Sequence, residues 1–359
     1  MRTVDKLTIR FLVDNSIEWF TKLPPGFTHE LPYHIQEHHL EIDKETNIPV
    51  INFDNFCCGA HGFSALIEAE IAGDSSRLIL FDTGPDNTSL VRNIKAMHVP
   101  LQNIERVVIS HWHADHSGGL LSFLKLRSQH SAESCVVDTH PDRPYARGIA
   151  PGPLYDKIIA RLPPDPTFEE IEAAGGVVEK HDKGHFVAGD MVYVSGEIPR
   201  VTSFEQAGLL GAKRFVPGTG WKDEPSIMDE RFAAVDVAGK GLVIFSACSH
   251  AGIVNVVKDA VATFSRPVIG GLHLAGDSMA PRIQPTVEWL SKSLRPSPAF
   301  ILPMHCTGFV AKVSLEQALG EGVVPAGVGI KVEIVGDRDM TSDLPRLVFA
   351  RCCRRRAEI

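Results

Sequence analysis

Apolar runs rich in β-branched residues recur along this chain, and each breaks off near glycine, aspartate, serine or histidine. They read KLTIRFLVDN, FSALIEAEIAG, RLILFDTG, ERVVISH, ESCVVDTH, MVYVSGEI, KGLVIFSACSH, RPVIGGLHL and PAFILPMHCTG. Such runs predict strands. Between several of them lie segments of helical periodicity, NTSLVRNIKAMHV, GGLLSFLKLRS, GIVNVVKDAVATF and TVEWLSKSL. Strands mixed with helices of this length predict layered α/β packing. FAAVDVAGKGLVIFSA predicts a hairpin turning near Gly239-Lys240-Gly241.

One strand end is unlike the others. After RVVIS the chain continues HWHADHSGG, His111 to Gly119, which crowds ligand-type side chains together before turning glycine-rich. Histidines two apart in an extended loop project to the same side, so His111 and His113 can grip one ion. Asp115 and His116 then point elsewhere and can serve a second. Neutral imidazole and carboxylate suit zinc, ferrous iron or manganese. A capping loop is the plain alternative, and the H-x-H-x-D-H pattern is too specific for it.

Whole-chain properties narrow the function classes. The chain has 359 residues, enough to bury a large core. Its 44% hydrophobic and 22% charged residues are ordinary for a globular enzyme. A net charge of −8 argues against a general nucleic-acid binder, since no extended phosphate-neutralising surface is supplied. No apolar run approaches the roughly 20 residues that span a bilayer, so no membrane partner is expected. The alternating, charged MRTVDKLTIRFLVDN reads as a strand and not as a signal peptide. Cysteines at 57, 58, 135, 248, 306, 352 and 353 form no C-x-x-C and are odd in number. Reduced thiols and a cytoplasmic location are the expectation.

Two segments, 20–56 and 140–182, are rich in proline with little periodicity, and read as long excursions from the core. Long loops of this kind commonly wall a functional site. The remainder reads as one domain, 1–345, followed by a basic tail, 346–359, ending RCCRRRAEI.

Three more histidines follow apolar runs: His250 in FSACSHAGIVN, His273 in IGGLHLAG and His305 in LPMHCTG. Strand ends converging on one sheet edge are where α/β enzymes place chemistry. HWHADHSGG after a strand, with LFDTG upstream, resembles the metallo-β-lactamase superfamily. LVDN, HGFSALIE, SGEIPR, ACSHAGIVN, GGLHL and PMHCTG together resemble its branch of dihydropterin–ribofuranosylaminobenzene-phosphate synthase-like proteins. The resemblance runs over roughly residues 5–335 apart from the two excursions.

That resemblance implies an αββα sandwich, here with two Pro-rich insertions, and a mono- or dinuclear site on its open edge. It implies that His111 and His113 bind the first ion, and Asp115 and His116 the second. His305 matches the closing histidine, and His250 is the remaining candidate ligand. The chain departs from the superfamily pattern at VSGEIPR, which lacks a histidine, and at ACSHAG, which lacks an aspartate. One or two ions, Zn2+ with Fe or Mn as alternatives, both stay open. His273 is a candidate ligand, proton donor or substrate contact, the latter two preferred.

Supporting roles follow from residue chemistry. Asp82 in LFDTG can fix the motif loop by accepting hydrogen bonds from its backbone or from a ligand histidine. Arg143 and Arg200 are candidates to fork onto a substrate phosphate or carboxylate. Cys248 and Cys306 read as buried small apolar residues. The expected activity is a metal-dependent hydrolase or transferase, with Asp115 orienting water, acting on a small phosphorylated, ester, lactone or pterin-like molecule. A transferase of the synthase type is the alternative. A di-iron redox protein and a non-catalytic metal-dependent sensor are the rival classes.

Overall fold

The computed structural model describes residues 1–37, 40–264, 272, 274–275 and 278–339. His273, most of the RPVIGGLHL run and the 346–359 tail lie outside the described residues.

The first half of the chain runs β1 (Lys6–Val13), β2 (Phe27–Thr28), α1 (Glu30–Glu37), β3 (Ser64–Glu70), β4 (Arg77–Phe81), α2 (Ser89–Ala96), β5 (Ile104–Val108), α3 (Ala114–Ser117), α4 (Leu120–Ser128) and β6 (Cys135–Thr139). It continues through β7 (Ala146–Ile149), β8 (Ala160–Arg161), α5 (Phe168–Ala173), β9 (Gly176–Lys180), β10 (His185–Val187) and β11 (Val192–Val194). Then come β12 (Ala212–Val216), β13 (Gly220–Asp223), β14 (Ala233–Val237), β15 (Gly241–Phe245), α6 (Ile253–Phe264), α7 (Ala280–Glu288), α8 (Phe309–Leu319) and β16 (Lys331–Val335).

An eight-stranded sheet takes the order β2-β16-β1-β3-β4-β5-β6-β9, and a four-stranded sheet the order β10-β11-β14-β15. Alternation along each strand sorts side chains between layers. In β4, Ile79 and Phe81 enter the core between the two sheets, while Leu78 and Leu80 pack beneath α2 and α4. In β15, Val243 and Phe245 enter that same central core, while Leu242 and Ile244 face α6 and its neighbours. Helix, sheet, sheet, helix is therefore the stacking, an αββα sandwich. Each fully buried Leu or Phe contributes about 1.5–3 kcal/mol.

The β14–β15 hairpin pairs Ala233 with Phe245 and turns through Gly239 and Gly241, both at positive φ. Strands β4, β5, β6 and β9 are parallel, so their carboxyl ends share one edge.

Three expectations change. The 140–182 segment is no single excursion: Thr167 opens α5 with a capping box to Glu170, and β9 then pairs with β6. Its other half joins residues beyond 210 in a small third sheet, β13-β12-β7-β8. PAFILPMHCTG forms no strand; only Ile301 bridges, to Val323, because prolines on both sides remove ladder donors. The TVEWLSKSL segment is helical only through Glu288 in α7 and then widens to a π-helix over Trp289–Ser293. No helix among the described residues is long and apolar enough to cross a membrane.

Candidate metal centre

β4 and β5 end side by side, and the chain uses that edge to bring Asp82 under the motif loop. Asp82 is fully buried at φ 61, a left-handed conformation that turns its carboxylate back toward the adjoining strand end. Its Oδ1 accepts the Ser110 N–H at 2.7 Å, and its Oδ2 accepts the Ser110 hydroxyl at 2.8 Å and His116 Nδ1 at 2.8 Å. The Ser110 hydroxyl proton is thereby committed, so its oxygen accepts His111 Nδ1–H at 2.9 Å. One carboxylate sets the orientation of two histidines, each with Nε2 turned inward.

The inward atoms form two clusters. His111, His113 and His250 make the first. His111 Nε2 lies 2.9 Å from His113 Nδ1 and 3.2 Å from His250 Nε2. Asp115, His116, Cys248 and His305 make the second, with His116 Nε2 3.2 Å from Cys248 Sγ and His305 Nε2 3.3 Å from Asp115 Oδ2.

The distant ligand-type residues are placed with equal care. Glu230 accepts the His250 and Ala251 N–H groups at 2.6 and 2.7 Å, which fixes the turn entering α6. Asp14, after β1, accepts the His305 N–H at 2.7 Å, and Asn15 Oδ1 meets His305 Nδ1 at 3.0 Å. Ser249 and His305 sit at φ 61 and φ 43, the strained conformations that functional loops tolerate.

Electrostatics separate the clusters. Burial, reinforced by neighbouring imidazoles, pushes His111 well below the usual histidine range. Burial and the nearby Arg147 guanidinium bring His113 down to about 3. For His116 burial acts in the same direction, but Asp115 and Asp82 win and raise it to about 9. Burial opposes ionisation of Asp115 too, yet His116 and His305 hold it well below the carboxylate range. Burial, with Cys306 alongside, pushes the Cys248 thiol well above its usual value.

Trp112, between the two histidines of H-x-H, is fully buried and clamped through every polar group it has. Its N–H donates to Asp229 Oδ2 at 2.6 Å, its carbonyl accepts Arg147 Nη1, and its indole donates to the His140 carbonyl at 2.9 Å. Arg147 belongs to β7, so the 140–182 segment grips the motif directly; Ser117 adds a 2.6 Å bond to Asp165. The 20–56 segment adds β2 to the large sheet beside β16 and also reaches the α2 side, with Tyr33 on the Met97 carbonyl and the Phe53 and Phe56 carbonyls on Arg92.

The two arginines singled out in the sequence both donate to backbone carbonyls. Arg143 donates to the carbonyls of Asp165 and Pro166, holding that loop. Arg200 donates to the His250 carbonyl at 3.0 Å. Both guanidinium groups thus support backbone. Cys248 is buried as the sequence suggests, but its sulfur lies among the ligand atoms of the second cluster. A third group, Asp138, His181 and His185, lies elsewhere; Arg231 and Arg106 neutralise Asp138 at 2.8 and 3.0 Å.

The chain and its fold resemble known proteins. The family model of the metallo-beta-lactamase superfamily matches residues 61–202. The chain is 32% identical to the 7,8-dihydropterin-6-methyl-4-(beta-D-ribofuranosyl)-aminobenzene-5'-phosphate synthase of Methanocaldococcus jannaschii, over 70% of this chain and 82% of that protein. An uncharacterized protein of the same organism is 30% identical over 72% of this chain and 88% of its own length. Among solved structures, a metal-dependent hydrolase of the beta-lactamase superfamily superposes with a TM-score of 0.61 at 19% identity. That superposition covers 92% of this chain and 99% of the other.

Proposed function

The chain belongs to the metallo-beta-lactamase superfamily, and from that membership we propose a metal-dependent enzyme with two ion sites acting on a small molecule. The observation that carries this reading is the convergence of ring nitrogens in the first cluster. His111 Nδ1 is committed to Ser110, so its Nε2 offers a lone pair, facing His113 Nδ1 and His250 Nε2 together. Buried imidazoles gathered nitrogen to nitrogen, with burial keeping His111 and His113 neutral, match what a cation requires. In the second cluster the buried His305 Nε2 faces Asp115 Oδ2 at 3.3 Å, with His116 Nε2 and Cys248 Sγ gathered beside them, so ligand-type atoms converge there too.

The donor sets suit the group. Three imidazoles fit zinc, and adding carboxylate, thiolate and two imidazoles fits zinc or iron better than magnesium or calcium. Bound ions would supply a water of lowered pKa and polarise a carbonyl or phosphoryl oxygen. The chain's own part is positioning: Asp82 aims His111 and His116, Glu230 aims His250, and Asn15 aims His305. Asp115 is the member most open to solvent, its side chain 26% exposed, so its carboxylate can orient a water or a substrate group.

Water and a second substrate are alternative acceptors for the group that such a site would transfer. The transferase reading is supported by the 32% identity to the archaeal synthase across most of both chains. The decisive experiment pairs thermal unfolding with turnover of a phosphoester, lactone and pterin panel, for the wild type and His116→Ala. We expect turnover to fall by about 100-fold or more while the unfolding midpoint moves by only a few degrees. A variant that unfolds outright, or retains full turnover on a confirmed substrate, rules the catalytic reading out.

A further inference from the structure

His61 belongs to neither cluster, yet it stands at the edge of the second. Its ring centroid is 5.0 Å from that of His305, and its Nε2 is 3.8 Å from Asp115 Oδ2, beyond hydrogen-bond length. The side chain is 72% exposed, which by itself would mark an ordinary solvated histidine.

The backbone beneath it is not loose. Ala60 N–H donates to the Asp14 carbonyl at 2.9 Å, and Phe63 N–H to the Asp115 carbonyl at 3.2 Å. Gly62 is required between them, because a Cβ there would lie 2.4 Å from the Asp115 carbonyl oxygen and 2.7 Å from Pro85 Cδ. The loop carrying His61 therefore rests on the motif residue whose carboxylate it faces.

The proton position on His61 follows from a chain of hydrogen bonds. With Nε2 of His305 turned to Asp115 and the cluster, its Nδ1 carries the proton and donates to Asn15 Oδ1 at 3.0 Å. The Asn15 amide nitrogen must then point the other way, and it donates to His61 Nδ1 at 3.1 Å. An Nδ1 that accepts leaves the His61 proton on Nε2. Asn15 thus fixes both rings at once, one as a ligand and one as an outward donor.

We propose that His61 touches the substrate, its Nε2–H donating to an anionic oxygen of the molecule bound beside the second cluster, with Asn15 as the residue that sets this donor. The proposal rests on the metal-site reading above. A donor held on a rigid loop, next to the one partly exposed carboxylate, is placed to meet a phosphoryl or carboxylate oxygen. Such charge-assisted hydrogen bonds are the stronger kind.

The test uses full-length protein loaded with cobalt(II), with bound cobalt measured and inorganic phosphate then titrated against the cobalt absorption. Wild type, His61→Ala and His61→Gln should all load the same cobalt. The Ala variant should bind phosphate about tenfold more weakly or worse, and Gln, which keeps a donor, should recover most of that loss. Unchanged phosphate affinity in the Ala variant overturns the proposal, as does a Gln variant no better than Ala. Cobalt loss in the Ala variant makes His61 a ligand and also overturns it. Wild type that loads cobalt but ignores phosphate does the same, whereas wild type that loads no cobalt sinks the underlying metal reading instead. On zinc-loaded protein, 15N-histidine spectra should show His61 protonated at Nε2; an Nδ1–H tautomer refutes the role given to Asn15.

Discussion

The two clusters divide one six-residue motif between them and are completed by His250, Cys248 and His305, yet they face metal in opposite states of readiness. His111, His113 and His250 are all imidazole, and burial keeps the two motif histidines neutral. In the second cluster, Asp115, His116, Cys248 and His305, two members hold protons where ligand lone pairs are needed: His116 is raised to about 9 and burial pushes the Cys248 thiol well above its usual value. The difference lies in what surrounds each ring. Arg147 stands near His113 and repels a proton, whereas Asp82 and Asp115 stand against His116 and attract one. Residue type alone therefore does not define a site; the neighbouring charges decide when it can accept an ion.

The widest effect should come from the residue the clusters share. Asp82→Ala removes the acceptor for the Ser110 N–H, the Ser110 hydroxyl and His116 Nδ1. Metal content should fall at both sites, and stability by at least about 3 kcal/mol, because buried donors lose their partners. Metal analysis and denaturant unfolding check both halves; a variant that keeps one ion at full affinity would show that the clusters are not jointly set.

Acidity should separate them next. An ion entering the second cluster must displace protons from His116 and Cys248, about two at neutral pH, whereas His111 and His113 of the first cluster have essentially none to release. Because His116 is raised, its proton competes with metal everywhere below about pH 9, and affinity falls as pH falls. His113, lowered to about 3, poses no such competition across the same range. Metal titrations from about pH 8 to about pH 6 should thus weaken the second ion by up to about 100-fold per unit while sparing the first. Equal pH dependence at both sites would erase the distinction.

How far the sequence discloses this site depends on how local each feature is. H-x-H-x-D-H is legible because its ligands and the strand before it are contiguous, and His250 and His305 stand out as histidines following apolar runs. Asp82 was legible through its chemistry, a carboxylate ending a buried strand. Asn15 was not, since its meaning comes from two histidines that only the fold brings beside it. Cys248 was obscured because a small sulfur side chain satisfies a core and a ligand set equally well. Arg143 and Arg200 are ambiguous in sequence for the reverse reason: a guanidinium fork suits a phosphate, but it also suits carbonyls in a loop, where both donate here. In the fold, β9 was hidden in GGVVEK, a short, half-polar run behind a Pro-rich stretch, and it takes its place only through parallel pairing with β6.

Cys248→Ser tests the thiol directly. Serine keeps the volume nearly unchanged but is a far poorer ligand for a soft ion, so the second site should weaken by about 10- to 100-fold. The thiolate-to-metal charge-transfer absorption of the cobalt(II) form should vanish, and the first ion should stay. An unchanged absorption spectrum would return Cys248 to a packing role.

The smallest change should be the most selective. Ser110→Ala deletes one hydroxyl that accepts from His111 Nδ1 and donates to Asp82 Oδ2. The Ser110 N–H still reaches Asp82 Oδ1, and His116 Nδ1 still reaches Oδ2, so the second cluster keeps its support. His111 alone loses the partner that holds its proton on Nδ1 and its lone pair inward. Removing an outer partner of a ligating histidine typically costs about 10- to 100-fold in metal affinity. First-site affinity should therefore drop by about tenfold, at the low end because His113 and His250 remain, with no change at the second site. Competition with a chelator, read separately for each ion, makes the measurement. If the second ion weakens instead, the hydrogen-bond chain from Asp82 through Ser110 is not what aims His111, and the order of support between the clusters must be reversed.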